Sequence, residues 1–274
     1  MNFSIGRQWG RGVIRSSGLA AVLGGTLACA QTGVGLGAAS TFGVLAGTTI
    51  TSTGLTVVNG DVGLFNGATI TGFAGYGSGG TAVTTGSFQV ENGLTLQAGT
   101  DLNAAYSALS AETPTTTGVT AFANQTLTAG VYSAPAALSV SGTLVLDGQG
   151  QTDPVFIFQV GSALNAALGT QIVLTGGATA ANIYWEVGSS ATLGGASIFQ
   201  GELIADTSIS AGTGAVIDGS LFAITGAVTL DSDTISAVPE PADTGWLVAG
   251  CALLAAAARA VCKKRPGQKR SQRC

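Results

Sequence analysis

The stretch VLAGTTITSTGLTVVNGDVG (Val44–Gly63) alternates apolar with small polar residues, and a closely similar line follows 159 positions later as LIADTSISAGTGAVIDGSLF (Leu203–Phe222). The two stretches align without a gap, and five residues of the first, Ala46, Thr48, Ile50, Val57 and Gly60, are identical to Ala205, Thr207, Ile209, Val216 and Gly219. Alternation with a period of two is typical of β-strands that bury one face. The chain is therefore predicted to build the same unit of strands and turns near both of its ends.

Shorter repeats occupy the segment between these two stretches. FQVGSALNA (Phe158–Ala166) returns 27 residues later as WEVGSSATL (Trp185–Leu193), and SSATLGGASIFQG (Ser189–Gly201) returns 18 residues later as TSISAGTGAVIDG (Thr207–Gly219). GAVTLD (Gly226–Asp231) continues the series. A short unit that cannot bury its own apolar face and is repeated with insertions indicates a solenoid. Three short strands per turn would make a parallel β-helix, and an antiparallel β-sandwich is the alternative.

One segment breaks the alternation and predicts a helix. TDLNAAYSALSAETP (Thr100–Pro114) places four side chains on one helical face, namely Leu102, Ala105, Tyr106 and Leu109. Asp101 or the threonine before it can cap the start, and the closing proline ends the segment. We predict one helix at about residues 101–112, lying against the flank of the solenoid. Gly93 and Gly99 argue against an earlier start.

The charges are divided sharply along the chain. All ten Lys and Arg residues lie before residue 16 or after residue 258, and the chain has no His. Twelve acids lie between Gln31 and Val238, so this body carries a net charge of about −12. Without cations it cannot neutralise phosphates, which excludes nucleic acid as an expected partner. It also lacks the usual general base and any Lys or Arg for a developing anion, so we expect no enzymatic activity.

The two ends have the order of export and anchoring signals. Three arginines precede the apolar run GLAAVLGGTLACA (Gly18–Ala30), so residues 1–30 are predicted to be a secretory signal peptide. A lipoprotein signal through Cys29 is the weaker alternative. At the other end, VPEP, an apolar run at residues 245–261 and a basic tail resemble a PEP-CTERM sorting tail, at residues 238–274. This resemblance implies processing by an exosortase and a secreted, cell-envelope or outer-surface location. An ordinary membrane anchor is the alternative.

The body between these ends, residues 31–237, contains no cysteine, because all four cysteines lie in the end segments. No disulfide framework or metal site is therefore expected, and no cofactor. Six phrases lie along this body in the following order: LGAASTFGVLAG (Leu36–Gly47), VVNGDVG (Val57–Gly63), LTAGVYS (Leu127–Ser133), TDPVFIFQVGSAL (Thr152–Leu164), VGSSATLG (Val187–Gly194) and GAVTLDSDTI (Gly226–Ile235). With these phrases in this order, the sequence resembles the microbial ice-binding (antifreeze) proteins.

The resemblance implies a mainly β fold, a right-handed discontinuous parallel β-solenoid of triangular section with one α-helix packed alongside. It also implies that the N-terminal coil packs among later coils. The implied function is adsorption to an ice crystal and inhibition of ice growth and recrystallisation, by a protein that we expect to be a monomer. An exported surface adhesin or matrix protein with a β-solenoid body is the alternative.

Strand periodicity supplies candidate contact residues. If the apolar member of each alternating run points inward, each core residue has an outward residue on either side. These outward pairs flank Ile50, Leu164, Ala191, Ile209 and Val228. The resulting candidate ice-binding residues are Thr49, Thr51, Asn165, Ser190, Thr192, Ser208, Ser210 and Thr229. The contrary interpretation is that Thr and Ser merely suit exposed strands.

Polysaccharide cleavage, calcium binding and phosphate binding have little support in the sequence. A carboxylate pair for polysaccharide cleavage could come from Asp206, Asp218, Asp231 and Asp233, but acids in such loops more often form turns. Asp231-Ser232-Asp233 lacks the remaining ligands of a calcium loop. The glycine-rich run at residues 72–80 lacks the Lys and Ser or Thr of a phosphate loop.

Overall fold

The computed structural model describes residues 34–238, except Ala68 and Ser78. All of these residues belong to the second of the chain's two units, Gln31–Cys274. The predicted signal peptide and, beyond Val238, the predicted sorting tail lie outside the described residues. Within residues 34–238, no helix is long and apolar enough to cross a membrane.

Short strands make up most of the described chain. A 3-10 helix (Gly37–Thr41) precedes β1 (Phe42–Ala46), β2 (Thr49–Thr53), β3 (Val57–Asn59), β4 (Asp61–Leu64), β5 (Thr69–Thr71), β6 (Val83–Thr84), β7 (Phe88–Val90) and helix α1 (Gly93–Ala111). After α1 come β8 (Thr116–Thr117), β9 (Ala121–Thr128), β10 (Gly130–Ala134), β11 (Leu138–Asp147), β12 (Phe156–Val160), β13 (Leu164–Ala166) and β14 (Gln171–Thr175). A second 3-10 helix (Ala180–Asn182) is followed by β15 (Ile183–Val187), β16 (Ala191–Leu193), β17 (Ile198–Gln200), β18 (Glu202–Ala205), β19 (Ile209–Ala211), β20 (Val216–Asp218), β21 (Leu221–Ala223), β22 (Val228–Asp231) and β23 (Thr234–Ser236).

These strands form three faces of a solenoid, and the predicted fold class is confirmed. Face A is a nine-stranded sheet in the order β7-β4-β1-β21-β18-β15-β12-β10-β8. A second sheet bends through β9 and β11, so it supplies two faces. Face B contains β5-β2-β22-β19-β16-β13 with the first parts of β11 and β9, and face C contains β14-β17-β20-β23-β3-β6 with their second parts. The pairing between described strands is parallel throughout, which excludes the antiparallel sandwich.

The sequence repeats correspond to the register of the coils. Phe158 pairs with Trp185, which reproduces the 27-residue repeat, and Ala191 pairs with Ile209, which reproduces the 18-residue repeat. Val228 lies between Ile209 and Ile50. The two similar stretches at residues 44–63 and 203–222 are therefore equivalent coils separated by one coil.

The first coil is inserted between the last coil and the second. On face A, β1 pairs with β21 on one side and with β4 on the other. In the same way, β2 lies between β22 and β5 on face B, and β3 lies between β23 and β6 on face C. The prediction that the N-terminal coil packs among later coils is confirmed. As a result the edge of the last coil is covered by the first, which removes an open edge that could pair with another chain.

The interior is filled by the inward-facing side chains of the strands on all three faces. On face A an aromatic column runs from Tyr132 through Phe158 to Trp185, with ring centroids 5.5 and 3.8 Å apart. Trp185 also contacts Phe199 from face C at 5.0 Å, and its indole N–H donates to the carbonyl of Gln200 at 3.0 Å. The column thus ties two faces together across the core.

Helix α1 covers the outer side of face A, but it starts eight residues earlier than predicted. Asn92, not Thr100 or Asp101, is the N-cap: its side chain accepts from the N–H of Thr95, whose hydroxyl accepts from the Asn92 N–H. Leu102, Ala105 and Leu109 are buried, as predicted, against Leu45, Ile157 and Phe222 of face A, among others.

Gly99 does not break the helix, because close packing favours a residue without a Cβ there. A Cβ at Gly99 would lie 2.8 Å from a ring carbon of Phe65. Asp101, predicted as a possible cap, instead accepts from the N–H of Ala38 at 2.8 Å and from the amide of Gln97 at 2.7 Å. It therefore ties the helix to the segment before β1.

Candidate functional site

Face B carries an unbroken column of small outward side chains, one from each of eight coils. Successive members are Cα partners in the strand register, so they stack at the spacing of neighbouring strands, about 4.8 Å. We call this the outer column: Ala121, Ser139, Asn165, Thr192, Ser210, Thr229, Thr51 and Thr71. All are exposed except Thr71, which is half-buried.

A second column lies two residues earlier along the chain in each coil, at or just before the start of the strand and about 6.7 Å away. This flanking column consists of Ala163, Ser190, Ser208, Ala227, Thr49 and Thr69. Its members are half-buried, except the exposed Thr69. Ser208 Oγ accepts from the N–H of Ala227 at 3.2 Å, so this hydroxyl is partly engaged by the neighbouring coil.

The structure brings all eight predicted site residues to this one face. Five lie in the outer column: Thr51, Asn165, Thr192, Ser210 and Thr229. The other three, Thr49, Ser190 and Ser208, lie in the flanking column and are less exposed.

The sequence reasoning missed part of the outer column at each end. Thr69 and Thr71 extend both columns by one coil, and Thr71 Oγ1 donates to Thr51 Oγ1 at 3.4 Å. Ser139 extends the outer column the other way. The signal was present, because TIT at residues 69–71 repeats the TIT of residues 49–51, but the glycine-rich insertion that follows obscured the period.

Neither column contains a charged residue. The described part of the chain has no Lys, Arg or His, and its acids lie outside both columns. The nearest along a strand is Asp231, two residues past Thr229, at the corner of faces B and C. The hydroxyl of Thr213 donates to Asp231, and this hydrogen bond is the main cause that lowers its pKa. The two columns of face B therefore form an uncharged array of methyl, hydroxyl and amide groups with regular spacing.

Two of the acids considered for catalysis or calcium binding, Asp231 and Asp233, have structural partners. Both carboxylate oxygens of the fully buried Asp233 accept backbone N–H groups, Oδ1 from Ala215 at 2.9 Å and Oδ2 from Asp231 at 2.7 Å. Burial nevertheless raises the pKa of Asp233 to about 6. Asp233 thus closes the turn between β22 and β23. Within residues 34–238, no three His, Cys, Asp or Glu side chains gather as a possible metal site.

Known proteins share both the sequence and the architecture. A family model described as "Ice-binding-like" matches residues 44–236. The chain is 38% identical over 233 residues to an ice-binding protein of Nostoc sp. (strain HG1), covering 80% of this chain and 83% of that one. It is 36% identical to ice-binding protein 1 of Shewanella frigidimarina, covering 73% of this chain but only 26% of that longer protein.

Solved structures agree with these sequence matches. The crystal structure of the ice-binding protein from the ascomycete Antarctomyces psychrotrophicus superposes with a TM-score of 0.70 at 40% identity, covering 75% of this chain and 98% of that one. The ice-binding protein LeIBP from an Arctic yeast gives a TM-score of 0.70 at 26% identity, covering 77% of this chain and 96% of that one. With a family match across nearly all of the described solenoid, the chain belongs to the ice-binding-like family.

Proposed function

We propose that the chain adsorbs to ice through face B and thereby inhibits ice growth and recrystallisation. The observation that carries this proposal is the register of the outer column, in which eight consecutive coils each place one small uncharged side chain at the same position. Relatives that match most of this chain are ice-binding proteins, which supports the assignment.

The chemistry of the face suits a partner made only of water. A hydroxyl can form a hydrogen bond to ordered water at little cost. The methyl groups of Thr and Ala form no hydrogen bonds, so they do not pull water molecules out of an ordered layer. Long charged side chains would bind disordered water strongly and keep the face away from a lattice, and both columns lack them. Many weak contacts made at once over a rigid sheet would hold the molecule on the crystal, so that growth continues only between adsorbed molecules.

Membership of the ice-binding-like family also indicates whether the chain is an enzyme. The family consists of ice-binding proteins and not of enzymes, so the expectation that the chain is not an enzyme is confirmed by its relatives. The described acids considered for a polysaccharide-cleaving pair therefore need no catalytic role.

Ice recrystallisation in a frozen sucrose drop tests the proposal. Wild-type full-length protein should keep the crystals small, whereas the double variant Thr51→Tyr/Thr229→Tyr should let them coarsen, because two phenol rings would stand above neighbouring coils. The matched control is Thr100→Tyr, the same change at an exposed position of α1. Coarsening with the wild-type protein equal to that in a protein-free drop would refute ice binding. Full activity in the double variant would refute face B.

The finer assignments concern delivery and assembly, and we propose them from the sequence. Residues 1–30 direct export, residues 31–237 form the ice-binding domain, and residues 238–274 act as a PEP-CTERM-like tail processed by an exosortase. The protein would then act as a monomer outside the cell or at its envelope, where it could attach the cell to ice. Cell fractionation with and without the last 37 residues tests the tail: a tail-less chain should move from the envelope to the medium.

A further inference from the structure

Face C differs from face B in exposing large apolar side chains. Eight such side chains are exposed among the described residues, and two of them, Leu94 and Leu96, lie on α1. The other six lie on face C or at its corner with face B: Leu55, Val83, Leu168, Val173, Ile198 and Val216. Exposed apolar groups gathered on one side of a monomer indicate a contact surface rather than a merely solvated one.

The apolar residues of face C are also arranged in register. One outward residue from each of seven coils forms a column, which we call the C column: Thr143, Gln171, Ile198, Val216, Thr234, Val57 and Val83. Ile198 and Val216 at its centre are 39% and 44% exposed. Like the outer column of face B, the C column contains no charged residue and repeats at the strand spacing, about 4.8 Å.

Faces B and C are two parts of one surface. Strands β9 and β11 run through both, and they bend where Asn124 Oδ1 accepts from the N–H of Thr143 at 3.0 Å. Leu55 and Leu168, which are 73% and 81% exposed, occupy the turns between the two faces. The two uncharged columns therefore lie on one continuous surface, but they face in different directions, and Asp231 lies at the corner between them.

We propose that the C column is a second ice-contact surface, which engages a different crystal plane from face B. This inference rests on the proposed function. A protein partner fits the surface less well, because protein interfaces rely on a few aromatic or Arg anchors seated in pockets. The C column has no aromatic or Arg residue, and six of its seven coils present a β-branched side chain, Gln171 being the exception, which matches a periodic solid better than an irregular protein surface.

The test maps which planes of a single-crystal ice hemisphere bind fluorescently labelled full-length protein. Three variants are compared with wild type: Thr51→Tyr/Thr229→Tyr for face B, Val216→Lys for the C column, and Leu96→Lys as a control that changes an exposed apolar residue of α1. We expect wild type and Leu96→Lys to label the same planes. The face B variant and Val216→Lys should each lose a different subset, and combining them should abolish labelling.

The outcomes separate the two proposals. A wild-type pattern for a folded Val216→Lys variant refutes the second surface and leaves face B untouched, whereas a wild-type pattern for the face B variant refutes the assignment of face B. Ile198→Lys, one coil away, repeats the test if Val216→Lys does not show the wild-type circular dichroism spectrum. A concentration-dependent dimer in sedimentation that Val216→Lys dissociates, with an unchanged plane pattern, would assign the surface to a second copy and overturn the proposal.

Discussion

Buried carboxyl groups should make this protein less stable at neutral pH than at pH 4. Asp233 is fully buried, and burial raises its pKa from 3.8 to about 6. An acid whose pKa is raised on folding binds its proton more tightly in the folded state. Its contribution is therefore greatest below pH 3.8 and is lost as the pH rises to about 6. At 1.36 kcal/mol per pH unit, the loss is about 3 kcal/mol.

A second group acts in the same direction. Glu186 is buried beneath α1, and its pKa is raised, first by this burial and also by the nearby charge of Asp206, although a hydrogen bond from Tyr106 opposes the shift. In the part of the chain that the structure describes there is no Lys, Arg or His. Mild acid therefore has no salt bridge to break there. The lowered pKa of Asp231 has the opposite effect on stability. Its contribution is lost only as the pH falls below the usual titration range of an aspartate.

Thermal unfolding of the full-length protein between pH 4 and pH 7 measures the effect. Of this loss, about 2.4 kcal/mol falls between pH 4 and pH 7, because the unfolded aspartate is already more than half ionised at pH 4. For a domain of this size, that corresponds to a fall in the midpoint of roughly 5 to 10 °C. Asp233→Asn should flatten this dependence, because its side chain cannot ionise, and it should cost about 1–3 kcal/mol at pH 4, where its amide faces the N–H of Asp231. A midpoint that is constant or rises from pH 4 to pH 7 would refute the reasoning.

Three further predictions concern packing and are checked by thermal or denaturant unfolding. Trp185→Ala should destabilise the protein by about 3–5 kcal/mol, because it removes the ring that joins the aromatic column to Phe199 and leaves a cavity there, and Trp185→Phe should cost less; equal effects would show that the column is not packed as described. Gly99→Leu should cost about 1–3 kcal/mol and reduce the helical signal, because its side chain would enter the Phe65 ring; Gly93→Ala, in open space on the same helix, should be neutral or stabilising by about 0.4–1 kcal/mol. Gly219→Ala should destabilise by more than about 1 kcal/mol, since Gly219 has φ 145° and its new methyl group would overlap the carbonyl of the stacked Gly201; an unchanged midpoint would contradict this.

Much of the coil geometry could be predicted because coils that stack must present matching residues. Offsets of 18 and 27 residues in the sequence became the Cα pairing of β16 with β19 and of β12 with β15. Insertion of the first coil beside the last did not follow from the residues themselves and came from the family resemblance.

The start of α1 and the outward side chains of face C were both predicted poorly from local sequence patterns. Gly93 and Gly99 lower helix propensity, but the cap at Asn92 and the contact with Phe65 outweigh that preference. On face C, the rule that the apolar residue of each alternating pair points inward cannot be applied, because Ile198 and Phe199 are both apolar. Only the fold shows that Phe199 is buried and Ile198 exposed.

Partition of the protein into slowly grown ice tests the central claim most directly. A cooled probe grows ice from a dilute solution of full-length protein, and the protein content of the ice is compared with that of the remaining liquid. The wild type and Thr100→Tyr should be enriched in the ice, whereas Thr51→Tyr/Thr229→Tyr should be enriched much less. Exclusion of the wild type from the ice, or equal enrichment of the folded double variant, would contradict adsorption through face B.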